Sequence, residues 1–348
     1  MKKFLLVIFW FINGISPVSA QGEFQFMTYN VENLFDTVHD SLKNDRDFLP
    51  EAPRHWNYSR YKKKLDHLAQ CIIATGGWQP PALIALCEVE NDNVLRQLTH
   101  YSSLRKASYR YVMTQSPDER GMNVALLYQR EQFRLLNKVS HSILFPSYQF
   151  HRPTRDILHV TGQILTGDTL DIFVIHFPSR SGGEKESEPA RLFAARQLRF
   201  LVDSTMQNRK SPLVIIMGDF NDYPHNRSLK EILKVSLPPS FNDSTIYMNL
   251  YSLTEPLKKE KIGTYKYQGE WGILDHVLVN GRMLSPQSPL HIPLRCAEIV
   301  KHPFLLERDS KNLGVRPFRT YNGFRYQGGY SDHLPVTVKC ILQTDTSK

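Results

Sequence analysis

The chain has 348 residues, of which 41% are hydrophobic and 22% are charged. These fractions are ordinary for a globular protein, so they exclude a wholly disordered chain and a collagen-like or repetitive design. The formal net charge of +9 favours a polyanionic partner, although lysine and arginine can equally serve only to keep a protein soluble.

The first twenty residues have the pattern of a cleavable signal peptide. Two lysines precede an apolar run at about residues 4–12, and residues 18–20 offer the small side chains that signal peptidase requires. Polar and helix-breaking residues at 13–17 end the run well before the roughly 20 residues of a membrane span, although an uncleaved anchor is the alternative. We therefore expect residues 1–20 to be a signal peptide, with export to the periplasm or the medium and no stable membrane insertion.

Residues 21–348 are predicted to form one domain. Short apolar runs of strand length recur, each bounded by turn or polar residues. Amphipathic helix patterns lie at residues 61–72 and at about residues 188–206. Strands and helices in mixed order indicate a layered α/β architecture, and no repeat or low-complexity linker divides the chain. The strand-length runs are residues 24–29, 82–87, 123–128, 170–175, 213–217, 273–279 and 334–340.

Polar residues repeatedly stand where these apolar runs end. Charged groups are costly inside sheet layers unless they are paired or bind a metal, so several of them at strand ends favour one shared site. Each segment alone has a simpler interpretation, as a turn cap, a loop carboxylate or a core histidine. The segments are Tyr29-Asn30-Val31-Glu32, Leu86-Cys87-Glu88, Ile175-His176, Gly218-Asp219-Phe220-Asn221, Leu274-Asp275-His276 and Ser331-Asp332-His333.

The carboxylates of these segments suit a magnesium ion. Glu88, Asp219 and Asp332 offer the hard oxygen ligands that Mg²⁺ prefers. The four cysteines lie at no metal-ligand spacing, which argues against zinc. We expect Mg²⁺, with Mn²⁺ or Ca²⁺ as alternatives, and such an ion would polarise a phosphoryl oxygen. His176 and His333 are expected to bind a phosphate or to move protons near neutral pH.

Six segments resemble, in order and spacing, the signatures of the endonuclease/exonuclease/phosphatase superfamily. The superfamily includes the pancreatic-type deoxyribonucleases and the abasic-site endonucleases. The resemblance covers about residues 24–340, and it implies a four-layer α/β sandwich with two mostly antiparallel sheets packed face to face and helices outside. GDFND and SDHLP together are its most specific part. The segments are TYNVENLFD, LIALCEVEN, VIHFPSRSGG, IIMGDFNDYP, GILDHVLVN and GGYSDHLPV.

The resemblance implies a set of metal ligands. Glu88 matches the principal magnesium ligand of the superfamily. Glu32 stands where a second carboxylate of the metal shell is found, and Asp332 matches an acidic residue near the metal. Asn30 matches the residue that orients the site. We therefore expect Glu88, Glu32 and Asp332 to be metal ligands.

The resemblance also implies catalytic roles. His176 matches a histidine of the deoxyribonuclease branch and is expected to bind phosphate or to act as a general acid. Asp219 and Asn221 match the pair that activates water and holds the transition state. Asp275 matches the carboxylate that pairs with a terminal histidine, here His333. With Asn30, these residues form the predicted catalytic set.

The sequence departs from the superfamily pattern in two places. The carboxylate that supports the strand-end histidine in deoxyribonucleases has no secure counterpart, and Glu119 is only near the right place. Residues 273–276 replace the tryptophan-cysteine-aspartate-arginine run of inositol phosphatases, which disfavours that branch. Arg155 and Arg180 are weaker candidates, for contacts with phosphate. Arginine can bind phosphate through two donors, but on a surface it often only contacts solvent.

These patterns predict an exported, Mg²⁺-dependent phosphodiester hydrolase, an endonuclease that acts on DNA or RNA as a monomer. The positive charge and the deoxyribonuclease-like His176 favour nucleic acid as substrate. A phosphatase or a sphingomyelinase-like lipid phosphodiesterase of the same superfamily is an alternative, which an exposed apolar hairpin beside the site would favour. A catalytically silent binding module is a further alternative, but the set of polar residues is complete.

Overall fold

The computed structural model describes residues 21–146, 152–239 and 247–343. The predicted signal peptide, residues 1–20, lies outside the described residues. In the described ranges, none of the helices has the length and apolarity that crossing a membrane requires.

The α-helices of the described residues are α1 (Tyr58–Gly76), α2 (Asp92–His100) and α3 (Glu184–Gln207). The side chain of Asn57 caps α1, because its oxygen accepts a hydrogen bond from the Arg60 amide. The two predicted helices are confirmed as α1 and α3, whereas the short α2 was not predicted. Short 3₁₀ turns lie at Arg46–Phe48, Ser103–Ala107, Glu255–Lys259, Gly281–Leu284 and Pro303–Leu305, and a π turn lies at Ser228–Ile232.

The strands form two large sheets. Sheet 1 has the order β13-β19-β1-β2-β4-β3, with β14 also paired to β19, and sheet 2 has the order β5-β6-β7-β8-β12-β9. The pairs β1–β2 and β7–β8 are parallel and the other pairs in both sheets are antiparallel, which confirms two mostly antiparallel sheets. Within the described residues, three separate hairpins are β10–β11, β15–β16 and β17–β18. In chain order the strands are β1 (Gln21–Leu34), β2 (Leu83–Val89), β3 (Tyr109–Met113), β4 (Asn123–Gln129), β5 (Phe133–His141), β6 (Ile157–Ile164), β7 (Thr169–His176), β8 (Val214–Asp219), β9 (Leu250–Ser252), β10 (Tyr265–Tyr267), β11 (Glu270–Gly272), β12 (Asp275–Asn280), β13 (Leu290–His291), β14 (Ala297–Ile299), β15 (Leu306–Arg308), β16 (Val315–Pro317), β17 (Tyr321–Asn322), β18 (Arg325–Tyr326) and β19 (Val336–Gln343).

Alternating side chains of sheet 2 place it between two cores. On β7, Ile172 and Val174 join the core shared with sheet 1, whereas Phe173 and Ile175 pack in a second core with Leu198 of α3. This alternation follows from the period of two along a strand. Because α1 and α2 contribute to the core of sheet 1, the layers run helix, sheet, sheet, helix, and the predicted four-layer sandwich is confirmed.

The strand registers bring the predicted polar segments to one rim. In the parallel pair β7–β8, His176 is opposite Asp219, and in the antiparallel pair β8–β12, Asp219 is opposite Asp275. Gly218 makes this close approach possible, since its φ is +144° and an added Cβ would lie 1.9 Å from the Ile175 carbonyl oxygen. The rim therefore collects residues that are distant in the sequence.

Candidate active site

The Asp219 carboxylate is the centre of the polar contacts at this rim. Its Oδ2 accepts hydrogen bonds from Asn30 Nδ2 at 3.0 Å and Asn221 Nδ2 at 3.3 Å, and its Oδ1 accepts one from the Asn221 amide at 2.8 Å. The Nε2 atoms of His176 and His333 lie 3.6 and 3.9 Å from Oδ2. Burial raises the pKa of Asp219 to about 7. The structure thus brings four of the other five predicted catalytic residues around the Asp219 carboxylate.

The sixth residue, Asp275, holds His333. The His333 Nδ1 atom lies 2.7 Å from Asp275 Oδ2, and both side chains are buried. Burial alone would lower the pKa of His333, but the charge and hydrogen bond of Asp275 outweigh it and raise that pKa well above its usual value. The Tyr265 ring, whose centroid is 4.8 Å from that of His333, packs beside the pair. His333 is therefore an imidazolium whose Nε2 faces Asp219.

His176 is in a different electrostatic environment. Burial, together with the charges of Arg155 and Arg120, lowers its pKa well below the usual value. Its Nδ1 has no hydrogen-bond partner among the described residues. Glu119 is not that partner, because its carboxylate pairs with Arg152 at 3.6 Å on the surface. A neutral His176 fits the predicted phosphate binder better than the predicted general acid.

Glu88 is the carboxylate best placed to hold a divalent ion. It lies at a bulge in the β2–β4 register, between Cys87 and Val89, with a φ of +66°. Its Oε2 accepts a hydrogen bond from the Asn33 amide at 2.8 Å, while Oε1 lies 3.4 Å from Asn30 Nδ2 and 4.0 Å from His176 Nε2. Since these contacts are few and the side chain lines the cleft, its oxygens fit a hard cation.

The other two predicted metal ligands are held by cations of the chain itself. Arg319 bridges them, with Nε 3.5 Å from Glu32 Oε1 and Nη2 2.8 Å from Asp332 Oδ2. Glu32 Oε2 also accepts a hydrogen bond from the Thr320 amide at 2.6 Å and lies 3.9 Å from Lys64 Nζ. Asp332 and Glu88 line the cleft, whereas Glu32 does not.

A second group of potential ligands is paired internally. Asp219, Asp275 and His333 each present a ligand atom within 4.8 Å of the others. The His333 Nδ1 is already bonded to Asp275, however, and the Asp219 oxygens accept three hydrogen bonds. Glu88 is therefore the better donor for an ion in the cleft.

The cleft has a volume of about 630 Å³ and contains three arginines. Arg155 is buried, donates to the Phe177 carbonyl oxygen at 2.6 Å and lies 3.5 Å from the carboxylate of Asp118. Arg180 pairs with Glu184. Both candidates named from the sequence thus line the cleft, although each already has a carboxylate partner.

Arg120 was missed by the sequence analysis. It is exposed, donates to Asn33 Oδ1 at 3.3 Å, and has no carboxylate within 4.0 Å among the described residues. It lies in the connection between β3 and β4, where no motif marks it. Only its position on the cleft identifies it as the cation most available to a phosphate.

The sandwich and the polar cleft at its rim define a hydrolase of phosphate esters. The chain belongs to the Endonuclease/Exonuclease/phosphatase family, whose model matches residues 25–341. Members of this family are phosphoesterases and generally depend on a divalent metal. No curated protein matches this sequence.

Solved structures share the fold at low sequence identity. An endonuclease/exonuclease/phosphatase family protein from Bacteroides thetaiotaomicron is 14% identical, with a TM-score of 0.57, and the match covers 95% of this chain and 98% of that one. D. rerio TDP2 complexed with single strand DNA product is 14% identical, with a TM-score of 0.52 and coverage of 91% and 98%. The mannosyl-6-phosphatase Bt3783 of Bacteroides thetaiotaomicron VPI-5482 is 15% identical, with a TM-score of 0.52 and coverage of 91% and 99%.

Proposed function

We propose that the protein is an exported, Mg²⁺-dependent endonuclease that hydrolyses phosphodiester bonds of DNA or RNA as a monomer. The observation that carries the proposal is the contact of the Asp219 carboxylate with Asn30, Asn221 and two histidines in a cleft that also contains Glu88. Carboxylate, amide and imidazole groups of this kind activate water and stabilise charge on phosphorus.

Glu88 is the residue that would hold the ion. Bound Mg²⁺ would polarise a phosphoryl oxygen and offset the charge that develops during attack, and Mn²⁺ or Ca²⁺ are alternatives with the same ligand preference. Asp332 stands nearby on the cleft wall. Arg319 offsets the charges of Glu32 and Asp332, so Glu88 is the carboxylate whose charge stays available to an ion.

The roles that we assign to these residues follow from their protonation states. Asp219 accepts a proton from the attacking water, because a pKa of about 7 allows a carboxylate to act as a base near neutral pH. Asn30 and Asn221 orient that carboxylate through their hydrogen bonds. The His333 imidazolium stabilises the negative charge on the phosphoryl oxygens, and Asp275 keeps its ring in place.

Charge supports nucleic acid as the substrate. The formal net charge is +9, and Arg120, Arg155 and Arg180 line the cleft. Contacts between arginine and the phosphate backbone would make binding weaken as the salt concentration rises. D. rerio TDP2, which shares the fold, is complexed with a single strand DNA product.

A phosphatase is the second candidate. The same arginines, in a cleft of about 630 Å³, would also suit the extra charge of a phosphomonoester. A lipid phosphodiesterase has less support, because the exposed side chains of the β10–β11 hairpin beside His333 include the polar Gln268 and Glu270 as well as Tyr267.

A substrate panel tests the proposal. Purified protein is assayed on single- and double-stranded DNA, RNA, sphingomyelin, phosphoinositides and a sugar phosphate, with Mg²⁺ and with EDTA. We expect cleavage of DNA or RNA that EDTA abolishes and that Asp219→Asn lowers at least about a hundredfold. If the protein releases phosphate from the sugar phosphate and cleaves no other substrate of the panel, the phosphatase is favoured. Undiminished activity in EDTA would contradict the proposed metal dependence.

A further inference from the structure

A large cavity, which we call the edge cavity, lies at one edge of the sandwich. It has a volume of about 900 Å³ and lies between the segment that follows β9, the outer strand of sheet 2, and the start of β14, which pairs with β19 of sheet 1. The described residues that line it are all different from those that line the catalytic cleft. A ligand in the edge cavity would therefore be separate from a phosphate ester in the cleft.

The walls of the edge cavity are mainly apolar. Leu237 and Leu294 are 52% and 39% exposed, so two large apolar side chains of the same cavity are open to solvent. Cys296 also lines it, and burial raises the pKa of its thiol to about 12, so this side chain adds no charge. Contiguous exposed apolar surface in a concave site is typical of a site that binds an apolar group. The leucines of the lining are Leu237, Leu253, Leu257, Leu284 and Leu294.

The charged residues of the edge cavity leave a net positive charge. Glu255 pairs with Lys230 at 3.1 Å, and Glu260 pairs with Lys301 at 2.6 Å. Neither lysine lines the cavity, so both carboxylates are neutralised from outside it. The edge cavity therefore suits an anionic group. The other charged residues of the lining are exposed cations with no carboxylate within 4.0 Å among the described residues, and they are Lys258, Lys259 and Arg295.

Arg295 has a backbone conformation that residues with a Cβ rarely adopt. Its φ is +61°, in the left-handed region, which costs free energy for any residue other than glycine. The next residue, Cys296, is held by sheet 1, because its carbonyl oxygen accepts a hydrogen bond from the Lys339 amide at 3.1 Å. The pairing of β14 with β19 thus fixes the backbone of this cation beside the apolar lining.

We infer that the edge cavity binds a fatty acid, with its carboxylate beside Arg295 and the two lysines and its acyl chain along the leucines. The unpaired cations disfavour a cationic amphiphile. The apolar walls would leave the hydroxyl groups of a sugar or nucleotide without hydrogen-bond partners. The volume lies within the roughly 300–1,000 Å³ that is typical of small-molecule sites. The inference goes beyond the proposed nuclease function and does not depend on it.

Titration calorimetry with sodium dodecanoate, below its critical micelle concentration, tests the inference on the full chain. We expect saturable binding of one molecule per chain. Octanoate should bind at least about tenfold more weakly, since each buried methylene is worth up to about fourfold in affinity. Dodecyltrimethylammonium, which has the same chain and the opposite charge, should also bind at least about tenfold more weakly.

Variants of the apolar wall locate the acyl chain. Leu294→Glu is expected to weaken the binding of dodecanoate at least about tenfold, because it places a negative charge on a wall that the chain contacts. Leu237→Glu, at a more exposed position, should act in the same way and covers the case in which Leu294→Glu does not fold. Leu313→Glu is the matched control, because Leu313 is 97% exposed and does not line the edge cavity. Circular dichroism checks the fold of each variant.

Variants of the cations locate the carboxylate. Arg295→Gln is expected to weaken the binding of dodecanoate about threefold or more, because it removes one positive charge from the anion site. The preference for dodecanoate over octanoate should remain. Arg325→Gln is the matched control, because Arg325 is exposed and lies outside the edge cavity.

Three results would overturn the inference. The first is equal binding of dodecanoate by the wild type, Leu294→Glu and Leu237→Glu. The second is binding that Arg120→Gln removes and Arg295→Gln does not, which would place the amphiphile in the catalytic cleft. The third is binding to vesicles of phosphatidylglycerol without binding of dodecanoate, which would indicate a membrane surface instead of a fatty-acid site. Each of these results leaves the nuclease function to the substrate panel, which tests it separately.

Discussion

Lys64 and Arg319 neutralise two carboxylates beside the cleft. Lys64 is buried, donates to Thr320 Oγ1 at 2.6 Å and also contacts the Tyr330 carbonyl oxygen. Burial lowers its pKa to about 8. Removing one partner of such a buried pair usually costs about 3–5 kcal/mol, because the other charge is left unpaired. The ion pairs of Glu32 and Asp332 with these cations therefore stabilise the folded protein. They also reduce the negative charge that is available to a metal ion.

Arg319→Gln is expected to increase the binding of divalent ions. Loss of the guanidinium, which lies 2.8 Å from Asp332 and 3.5 Å from Glu32, frees the Asp332 carboxylate and leaves Glu32 with Lys64 as its cation. Titration calorimetry with Mn²⁺ should show either an added site or at least about threefold tighter binding, which reflects reduced repulsion of the ion by a nearby positive charge. Arg316→Gln is the control, because Arg316 pairs with Glu307 on another hairpin. Identical isotherms for wild type and Arg319→Gln would contradict the prediction.

Glu88→Ala and His333→Ala are each expected to lower kcat/KM at least about a hundredfold. The first change removes the proposed ligand of the ion, and the second removes a positive charge beside Asp219. Steady-state kinetics on the preferred substrate of the panel measure the effect, and circular dichroism checks the fold. Glu298→Ala, at an exposed position on β14, should retain full activity. A loss below about tenfold in either site variant would contradict the assigned role.

Among the strands, β12 carries a catalytic residue on one face and a structural residue on the other. Asp275 points into the site, whereas the neighbouring His276 is buried on the other side of sheet 2, as the strand period requires. His276 Nε2 lies 2.9 Å from the Asp222 carbonyl oxygen, and Nδ1 lies 3.0 Å from Thr254 Oγ1. The histidine next to the catalytic carboxylate is thus structural, and it fixes the segment that follows Asp219.

The protonation of His276 predicts a loss of stability in acid. Burial lowers its pKa to about 4, below the roughly 6.5 of an unfolded chain. Between these values the unfolded state binds a proton that the folded state does not, so stability falls as the pH drops from about 6.5 towards 4. This residue should contribute a loss of about 2 kcal/mol in the free energy of unfolding between pH 7 and pH 5.

Urea unfolding of the wild type and of His276→Gln measures this contribution. Both proteins contain the same other titratable groups, so the difference between their pH dependences isolates the histidine. The wild type should lose more stability than the variant between pH 7 and pH 5. If the free energy of unfolding changes with pH in the same way for both proteins, His276 takes up its proton equally in the folded and the unfolded state, and the prediction is wrong.

For the whole molecule, the start of the domain gives a prediction about export. β1 begins at Gln21, directly after the predicted cleavage point, and its first residues pair with the end of β19. Cleavage after residue 20 would leave this pairing intact. Mass spectrometry of protein recovered from the periplasm or the medium should therefore give a mature N-terminus at Gln21. Intact protein that retains residues 1–20 in the membrane fraction would support the uncleaved anchor.

The sequence alone determined seven of the strands, two of the helices and the chemistry available at strand ends. Apolar runs and helical periodicity are local properties, so β7, β8, β12, α1 and α3 were predicted. The resemblance of the ordered motifs to the superfamily was sufficient to name the residues that surround Asp219. The short α2 and the small hairpins were missed, because few residues give little periodic signal, and β3, β5, β6 and β9 were not predicted either.

Only the tertiary structure decided how these groups are paired. Glu32 is paired with Arg319, which is distant from it in the sequence and has no motif around it, and it does not line the cleft. The availability of Arg120 likewise arises because the β3–β4 connection meets the cleft in space. Charge pairing and cavity shape depend on distances of a few ångströms between segments far apart in the chain, and spacing along the sequence does not contain those distances.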